Sequence, residues 1–329
     1  MYSGVEGQKL VKSKVSFVFF GTSQFAVTVL SELLTKGAKP QLIITQPDAP
    51  VGRKRVLTPP PVKVWAEINE VPLIQPVSLR KLSPDSPLFA PYDLGVVADY
   101  GKIIPQRLLD VPKRGMLNIH VSLLPQYRGA SPMQTAILDG VKKTGVTIMQ
   151  VVEKLDEGDI VAQEEFDLSE WHPARHRHTR LPLPCRRHVG QAQALTGGPT
   201  FTKLAQHTAV AGAALLAKIL PDYITGNIKP TPQNHTEATY TKLFTDADGY
   251  INPEAIIGGV SNEEVLASER RVRALNPSPG TWTILKIRDK DMRVKIKSAH
   301  IKEGKLVPIL VVPEGKKEMP WADFKRGNL

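Results

Sequence analysis

An amide, an imidazole and a carboxylate can share one site in this chain. Asn118 and His120 stand two residues apart in Asn118-Ile119-His120-Val121-Ser122-Leu123-Leu124-Pro125, and Asp156 follows His120 by 156 − 120 = 36 residues in Leu155-Asp156-Glu157-Gly158-Asp159. Positions two apart on an extended strand project from the same face. The gap to Asp156 has room for a helix and a return strand, so the carboxylate can come back beside the imidazole. An amide donor, a titratable imidazole and a carboxylate to orient it are the groups that acyl transfer to an amine uses. Taken singly, Asn118 reads equally well as a capping residue and His120 as a satisfied histidine in a polar turn. The trio together with the Ser-Leu-Leu-Pro-x-Tyr-Arg-Gly turn is what points to chemistry. Ser122 has no base beside it and is expected to belong to the turn.

The elements that must position these residues read as a doubly wound, Rossmann-like α/β domain. Residues 15–20 (VSFVFF) form a continuous apolar run of β-formers, Gly21-Thr22-Ser23 makes a tight turn, and a helical pattern starts near Phe25. A dinucleotide site would need G-x-G-x-x-G at that turn, and only Gly21 is present. Further apolar runs at 41–45, 94–98, 116–119 and 146–152 are separated by helix-length segments, which fits a parallel sheet. Ligands of such sheets bind at the carboxyl ends of strands, where Asn118 and His120 fall. Thr58-Pro59-Pro60-Pro61 predicts an extended, non-helical loop. With Arg53, Lys54, Arg55 and Lys63 around it and acids only at Asp48 and Glu67, that loop is either a solvated surface or a mobile, phosphate-gripping lid.

Residues 201–220 read as a helix, and 222–233, with Gly226, Pro230 and Pro232, as part of a linker. Beyond it, 282–287 and 293–297 alternate as exposed strands do, and short strands with Gly/Pro turns suggest a small OB-like β-barrel. Residues 281–305 hold eight Lys/Arg against three acids, either a solvated face or an RNA platform. The expected layout is therefore a first domain over 1–226, a linker over 227–244 and a β domain over 245–329.

A chain of 329 residues is comfortable for two domains. One cysteine excludes a disulfide framework and fits the reducing cytoplasm. No apolar run approaches the roughly 18–20 residues of a membrane helix, and the first 13 residues lack the apolar core of a secretory signal. They read as an extension or a misplaced start. The net charge of +11 suits a polyanionic partner such as RNA.

Part of that charge sits in an odd segment. Residues 171–200 (WHPARHRHTRLPLPCRRHVGQAQALTGGPT) carry four of the eight histidines and the sole cysteine, and 171–190 hold five arginines and no acid. His172, His176, His178, Cys185 and His188 match no closed zinc spacing, and Pro173, Pro182 and Pro184 oppose a regular scaffold, so no metal is expected. A frame error or a real insertion would each produce such a shift in composition.

The run NIHVSLLPQYRGASP followed by LDEGD resembles the signature of the folate-dependent formyltransferases. QPDAPVGRKRVLTPPPVKVWAE (46–67) resembles the substrate loop of the branch that acts on methionyl-tRNA, which the glycinamide ribonucleotide branch lacks, and PEGKKEMPWADF (313–324) resembles that branch's C-terminal end. The similarity covers nearly the whole chain and fails over 171–200. It implies formyl transfer from 10-formyltetrahydrofolate to the amino group of methionyl-tRNA by a monomeric enzyme. It also implies catalysis by Asn118, His120 and Asp156. Asn118 and the imidazolium of His120 would stabilise the oxyanion, and Asp156 would orient His120. Folate would lie along Val97, Tyr100, Ser122, Leu123, Leu124 and Pro125. Arg53, with Lys54, Arg55, Lys295 and Lys297, would bind tRNA. Asp99 stands where related enzymes have a small residue, and Tyr127 and Arg128 would shape the turn. Cys185, in the aberrant segment, is a poor nucleophile. Two rival readings are formylation of another amine and a non-catalytic folate- or RNA-binding protein.

Overall fold

The structure is a computed structural model that describes residues 15–52, 54–83, 85–169 and 198–328. In chain order the elements are β1 (Phe17–Gly21), α1 (Gln24–Thr35), β2 (Leu42–Ile44), β3 (Ala49–Val51), β4 (Val56–Thr58), α2 (Pro61–Ile68), β5 (Leu73–Ile74), β6 (Leu94–Ala98), α3 (Gln106–Leu109), β7 (Met116–His120), β8 (Arg128–Gly129), α4 (Pro132–Asp139), β9 (Lys143–Gln150), β10 (Ile160–Asp167), α5 (Phe201–Thr225), β11 (Tyr240–Thr241), α6 (Glu254–Ile257), α7 (Asn262–Leu275), β12 (Thr281–Ile287), β13 (Lys290–Lys302), β14 (Lys305–Pro313), β15 (Met319–Pro320) and α8 (Trp321–Asn328).

Seven strands form one sheet in the order β10-β9-β7-β6-β1-β2-β5. β1 lies inside it, between β6 and β2, and all five of its residues are buried, as in a strand covered on both faces. β7, β6, β1, β2 and β5 run parallel. The expected all-parallel sheet is corrected at one edge: β9, which contains most of the 146–152 run, pairs antiparallel with β7. An apolar run carries burial but no direction.

Contacts gather the chain into two compact units. The first takes in described residues up to His120, Thr147–Gln163 and Ala209–Gln233; the second takes in Val121–Val146, described residues from Glu164 to Thr208, and those from Asn234 onward. In the first unit, Val18, Phe20, Leu42, Ile44, Leu88, Tyr92 and Met116 build a core. The tight turn after β1 needs Gly21, since a Cβ there would come within 2.9 Å of the Ala98 carbonyl and closer still to Phe19 and Ala26.

In the second unit, β12-β13-β14-β15 form a four-stranded antiparallel sheet, consistent with the small β-barrel expected there. One core lies among Val265, Val272, Ile296 and Leu306, and another among Leu285, Val294, Val311, Trp321 and Phe324. The C-terminal motif thus works by packing: the Trp321 and Phe324 rings stack at 5.2 Å. Among the described residues no helix is long and apolar enough to cross a membrane.

Candidate active site

β7 delivers the first two members of the trio. Its register with β9 sets Asn118 opposite Met149 and His120 opposite Thr147. The two side chains therefore share a face at the carboxyl end of the strand, as their spacing predicts. Asn118 is half-buried and His120 is 5 % exposed. The loop after β9 returns the third member. Asp156 Oδ1 lies 3.6 Å from His120 Nδ1, and the Asp156 side chain is 9 % exposed. That separation exceeds a formed hydrogen bond but is within the range from which catalytic contacts tighten around substrate.

The Asp156 loop is held by backbone contacts. Asp156 sits at φ +54°, in the left-handed region that Asp tolerates better than most residues. Gln233 Nε2 donates to the carbonyls of Asp156 (2.9 Å) and Gly158 (2.7 Å). Gln150 N donates to the Asp159 carbonyl at 2.9 Å. Gly158 cannot carry a side chain there, because a Cβ would come 1.9 Å from the Gln150 carbonyl oxygen. Gln150 Nε2 donates to the Tyr223 hydroxyl at 3.1 Å, which donates to the Arg114 carbonyl at 3.1 Å. Ile160 bridges to Thr231. The stretch 222–233, read as linker, instead ends α5 at Thr225 and then braces the loop that carries Asp156. Its Pro/Gly content reported an irregular backbone correctly and hid what that backbone touches.

The other strand-end residues of the first unit are also fixed. Val97 is held in the ladder between Phe20 and Asn118. The Tyr100 ring turns inward, edge-on to Phe20 at 5.5 Å, and burial pushes its hydroxyl up to about 12. The Tyr100 carbonyl accepts from Thr22 Oγ1 (2.9 Å) and Gln46 Nε2 (2.8 Å). Asp99 adopts φ +47° and its carbonyl accepts from Thr22 N, which accounts for a small residue being expected at that position.

In the second unit, Ser122 Oγ donates to the Gln126 carbonyl at 2.7 Å, and Ser122 and Leu124 are buried. The Leu124–Pro125 peptide is cis. Leu123 packs so closely on β9 that a Cβ at Gly145 would lie 2.4 Å from it. Tyr127 and Arg128 are built into this region. Tyr127 OH donates to Asp139 at 2.9 Å, and burial and then Asp139 push it up to about 12. Arg128, 1 % exposed, donates to Tyr240 OH at 3.1 Å and meets His235 Nδ1 at 3.0 Å.

Of the basic residues, Arg53 lies outside the described residues, whereas Lys54 and Arg55 are exposed at the tip of the β3–β4 hairpin. Two expectations about this loop need correction. Pro61 opens α2, since a proline at the first helical position loses only a donor that has no partner there. Lys63 belongs to that helix and is ion-paired with Asp48 at 2.8 Å. The Lys63 hydrogen bond, and then that from Gln75, hold the Asp48 carboxyl below its usual range. Lys295 is exposed on β13, while Lys297 is half-buried at a register shift.

His172, His176, His178, Cys185 and His188 lie outside the described residues, as does most of 171–200. Among the described residues no group of three His, Cys, Asp or Glu could hold a metal ion.

A formyl transferase family model matches residues 13–176. The chain is 37% identical over 332 residues to the methionyl-tRNA formyltransferase of Bacillus pumilus, covering 94% of each. It is 40% identical over 271 residues to that of Halalkalibacterium halodurans, covering 82% of this chain and 74% of the relative. Among solved structures it resembles a 4-N formyltransferase from Francisella tularensis, with a TM-score of 0.58 at 18% identity over 88% of this chain and 99% of that one. It also resembles HypX from Aquifex aeolicus in complex with tetrahydrofolic acid, with a TM-score of 0.56 at 16% identity over 95% and 47%. These two likenesses concern the fold alone.

Proposed function

The chain belongs to the methionyl-tRNA formyltransferase family, and from that premise we infer that Asn118, His120 and Asp156 form its catalytic centre. The reaction moves a formyl group from 10-formyltetrahydrofolate to the amino group of methionyl-tRNA, giving the N-formylmethionyl initiator tRNA. The amine attacks the formyl carbon, a carbon–nitrogen bond forms, and negative charge gathers on the formyl oxygen. Asn118 Nδ2 and His120 donate to that oxygen. Asp156 orients the imidazole and, through water, takes the proton the amine loses, which passes to the folate nitrogen as its bond to the formyl carbon breaks. No covalent intermediate on the protein is needed.

The observation that carries this reading is the 3.6 Å approach of Asp156 to His120 on the face shared with Asn118. We assign folate to backbone groups around Val97 and Tyr100 and to the turn of Ser122, Leu123, Leu124 and Pro125. Because the Tyr100 side chain is buried, its part in folate binding is to shape the strand end. Arg53, Lys54 and Arg55, with Lys295 and Lys297, contact the tRNA backbone. In domain terms, 1–226 carries the chemistry, 227–244 links while its Thr231 and Gln233 brace the Asp156 loop, and 245–329 binds tRNA. We further propose that the enzyme is a cytoplasmic monomer, which sedimentation of the free protein checks. The functional test is formylation of methionyl-tRNA by the purified chain with 10-formyltetrahydrofolate. Saturable formylation that His120→Ala abolishes is expected. Formylation of another amine in preference to methionyl-tRNA would overturn the reading.

A further inference from the structure

His120 faces a row of side chains that continues across two further strands. β7, β9 and β10 are neighbours in the seven-stranded sheet, and the β7–β9 register sets Thr147 directly opposite His120. Opposite residues of an antiparallel pair share a face, with Cβ atoms about 4.5–5.5 Å apart. β10 completes the row: Gln163 Nε2 donates to Thr147 Oγ1 at 2.9 Å. All three residues belong to the first unit.

Thr147 is an unexpected residue for its place. Residues 144–149 of β9 are all buried, and Thr147 is 0 % exposed. Valine would fill the same space without burying a hydroxyl that needs a partner. Gln163 is exposed on the edge strand, so its amide reaches inward to hold that hydroxyl and gives up side-chain freedom to do so. β10 is tied down by other bonds. The Gln150 amide donates to the Asp159 carbonyl at 2.9 Å ahead of the strand, and the Leu168 amide donates to the Lys142 carbonyl at 2.7 Å just past it. What the Gln163 bond fixes is the χ1 rotamer of Thr147. That rotamer decides whether a threonine turns its hydroxyl or its methyl group to a neighbour. Here the neighbour is the imidazole whose Nδ1 faces Asp156.

We infer that Gln163 is a positioning residue for His120, acting through Thr147. Holding the Thr147 rotamer holds the wall against which the imidazole turns, and so keeps Nδ1 towards Asp156 and Nε2 towards the formyl oxygen. This rests on the assignment of His120 as an oxyanion donor and is independent of which amine is formylated.

Gln163→Leu and Thr147→Val each delete the bond and keep nearly the same bulk. Each is expected to lower kcat by about tenfold, as a misaligned catalytic group does, with the KM for both substrates unchanged. The Tm of Gln163→Leu should match the parent's, because the site is exposed. The double variant should be no slower than either single one, since the two residues act in one chain of contacts. Thr147→Ser keeps the hydroxyl and should recover most of the rate lost in Thr147→Val. The ¹⁵N resonances of the His120 imidazole, assigned with His120→Gln, should shift and broaden in Gln163→Leu, which a merely structural role would not cause.

A parental kcat in Gln163→Leu, multiplied losses in the double variant, or a slow Gln163→Leu with unmoved His120 resonances would each overturn the positioning role. Failure of the parent protein to formylate methionyl-tRNA would strike the substrate assignment instead. The imidazole resonances are read on the free protein, so in that case their shift in Gln163→Leu still supports the role and their constancy overturns it.

Discussion

The loop that carries Asp156 and the hairpin that carries Lys54 and Arg55 both belong to the first unit, and they are built on opposite rules. The first is fixed at several points by partners distant in sequence: Gln233 grips two of its carbonyls, Gly158 lets it lie against Gln150, and its carboxylate is nearly buried. The second is a ladder of three residue pairs whose Val51, Val56 and Leu57 are 57–66 % exposed. A proton-handling group must hold its place to a fraction of an ångström. A cation that meets a phosphate through a high-dielectric medium need not. The same chain spends packing on the one and leaves the other to long side chains.

The sharpest way to break this contrast is to remove the chemistry without disturbing the frame. Asn118→Ala, His120→Ala and Asp156→Asn should each lower kcat by about 10²-fold or more, with folate binding retained. Asparagine is preferred at 156 because it too tolerates the positive φ found there. A near-wild-type kcat for His120→Ala would remove the oxyanion role.

Next in size is the brace. Gln233→Leu keeps the volume and deletes the two donors to the Asp156 loop. It should cost roughly 10- to 100-fold in kcat, as a displacement of about 1 Å at a catalytic group does, with both KM values little changed. Gln233→Glu, which keeps one acceptor arm but loses the donors, should not rescue. Equal losses in kcat and in folate affinity would mean that Gln233 holds the whole unit rather than the loop.

The hairpin comes third. Arg53→Ala with Arg55→Ala should raise the KM for methionyl-tRNA several-fold and flatten its salt dependence by about 0.7–0.9 per lost phosphate contact, leaving folate affinity alone. A drop in folate affinity with an unchanged tRNA KM would reassign the hairpin.

The smallest effect concerns the β domain's own frame. The Lys242 hydrogen bond, followed by the Thr245 N–H and hydroxyl, pulls Asp248 down to about 2. Its folded value is depressed, so its stabilisation is present above the ordinary carboxylate value near 3.8 and is lost as pH falls towards 2. Asp248→Asn should therefore show a slightly lower Tm than the parent above pH 4, and the gap should close towards pH 2. A constant gap across that range would assign the effect to the capping geometry of Asp248 rather than to its charge.

Much of this was legible from residue order because the signals are local. The 15–20 run names a buried strand, Gly21 names a turn, and two-residue spacing puts Asn118 and His120 on one face. What stayed hidden depended on direction or distance. β9 is apolar whichever way it runs. Pro61 ends one kind of segment and begins another, and only the residues after it decide. Lys295 and Lys297 look equivalent by alternation, yet a one-residue bulge, which no periodicity announces, leaves one exposed and the other half-buried. Gln233 lies 77 residues from Asp156, beyond the reach of any pattern rule.

That separation has a consequence in time. During synthesis Asp156 leaves the ribosome well before Gln233 does. At about 5–20 residues per second, the 77 intervening residues take roughly 4–15 seconds. Through that interval the chain already contains the residues of β1, β6 and β7, with Asn118 and His120 at the end of the last, while Gln233, the clamp on the Asp156 loop, has not yet been made. The Asp156 loop is therefore closed late in the chain's own translation, by a residue from beyond α5.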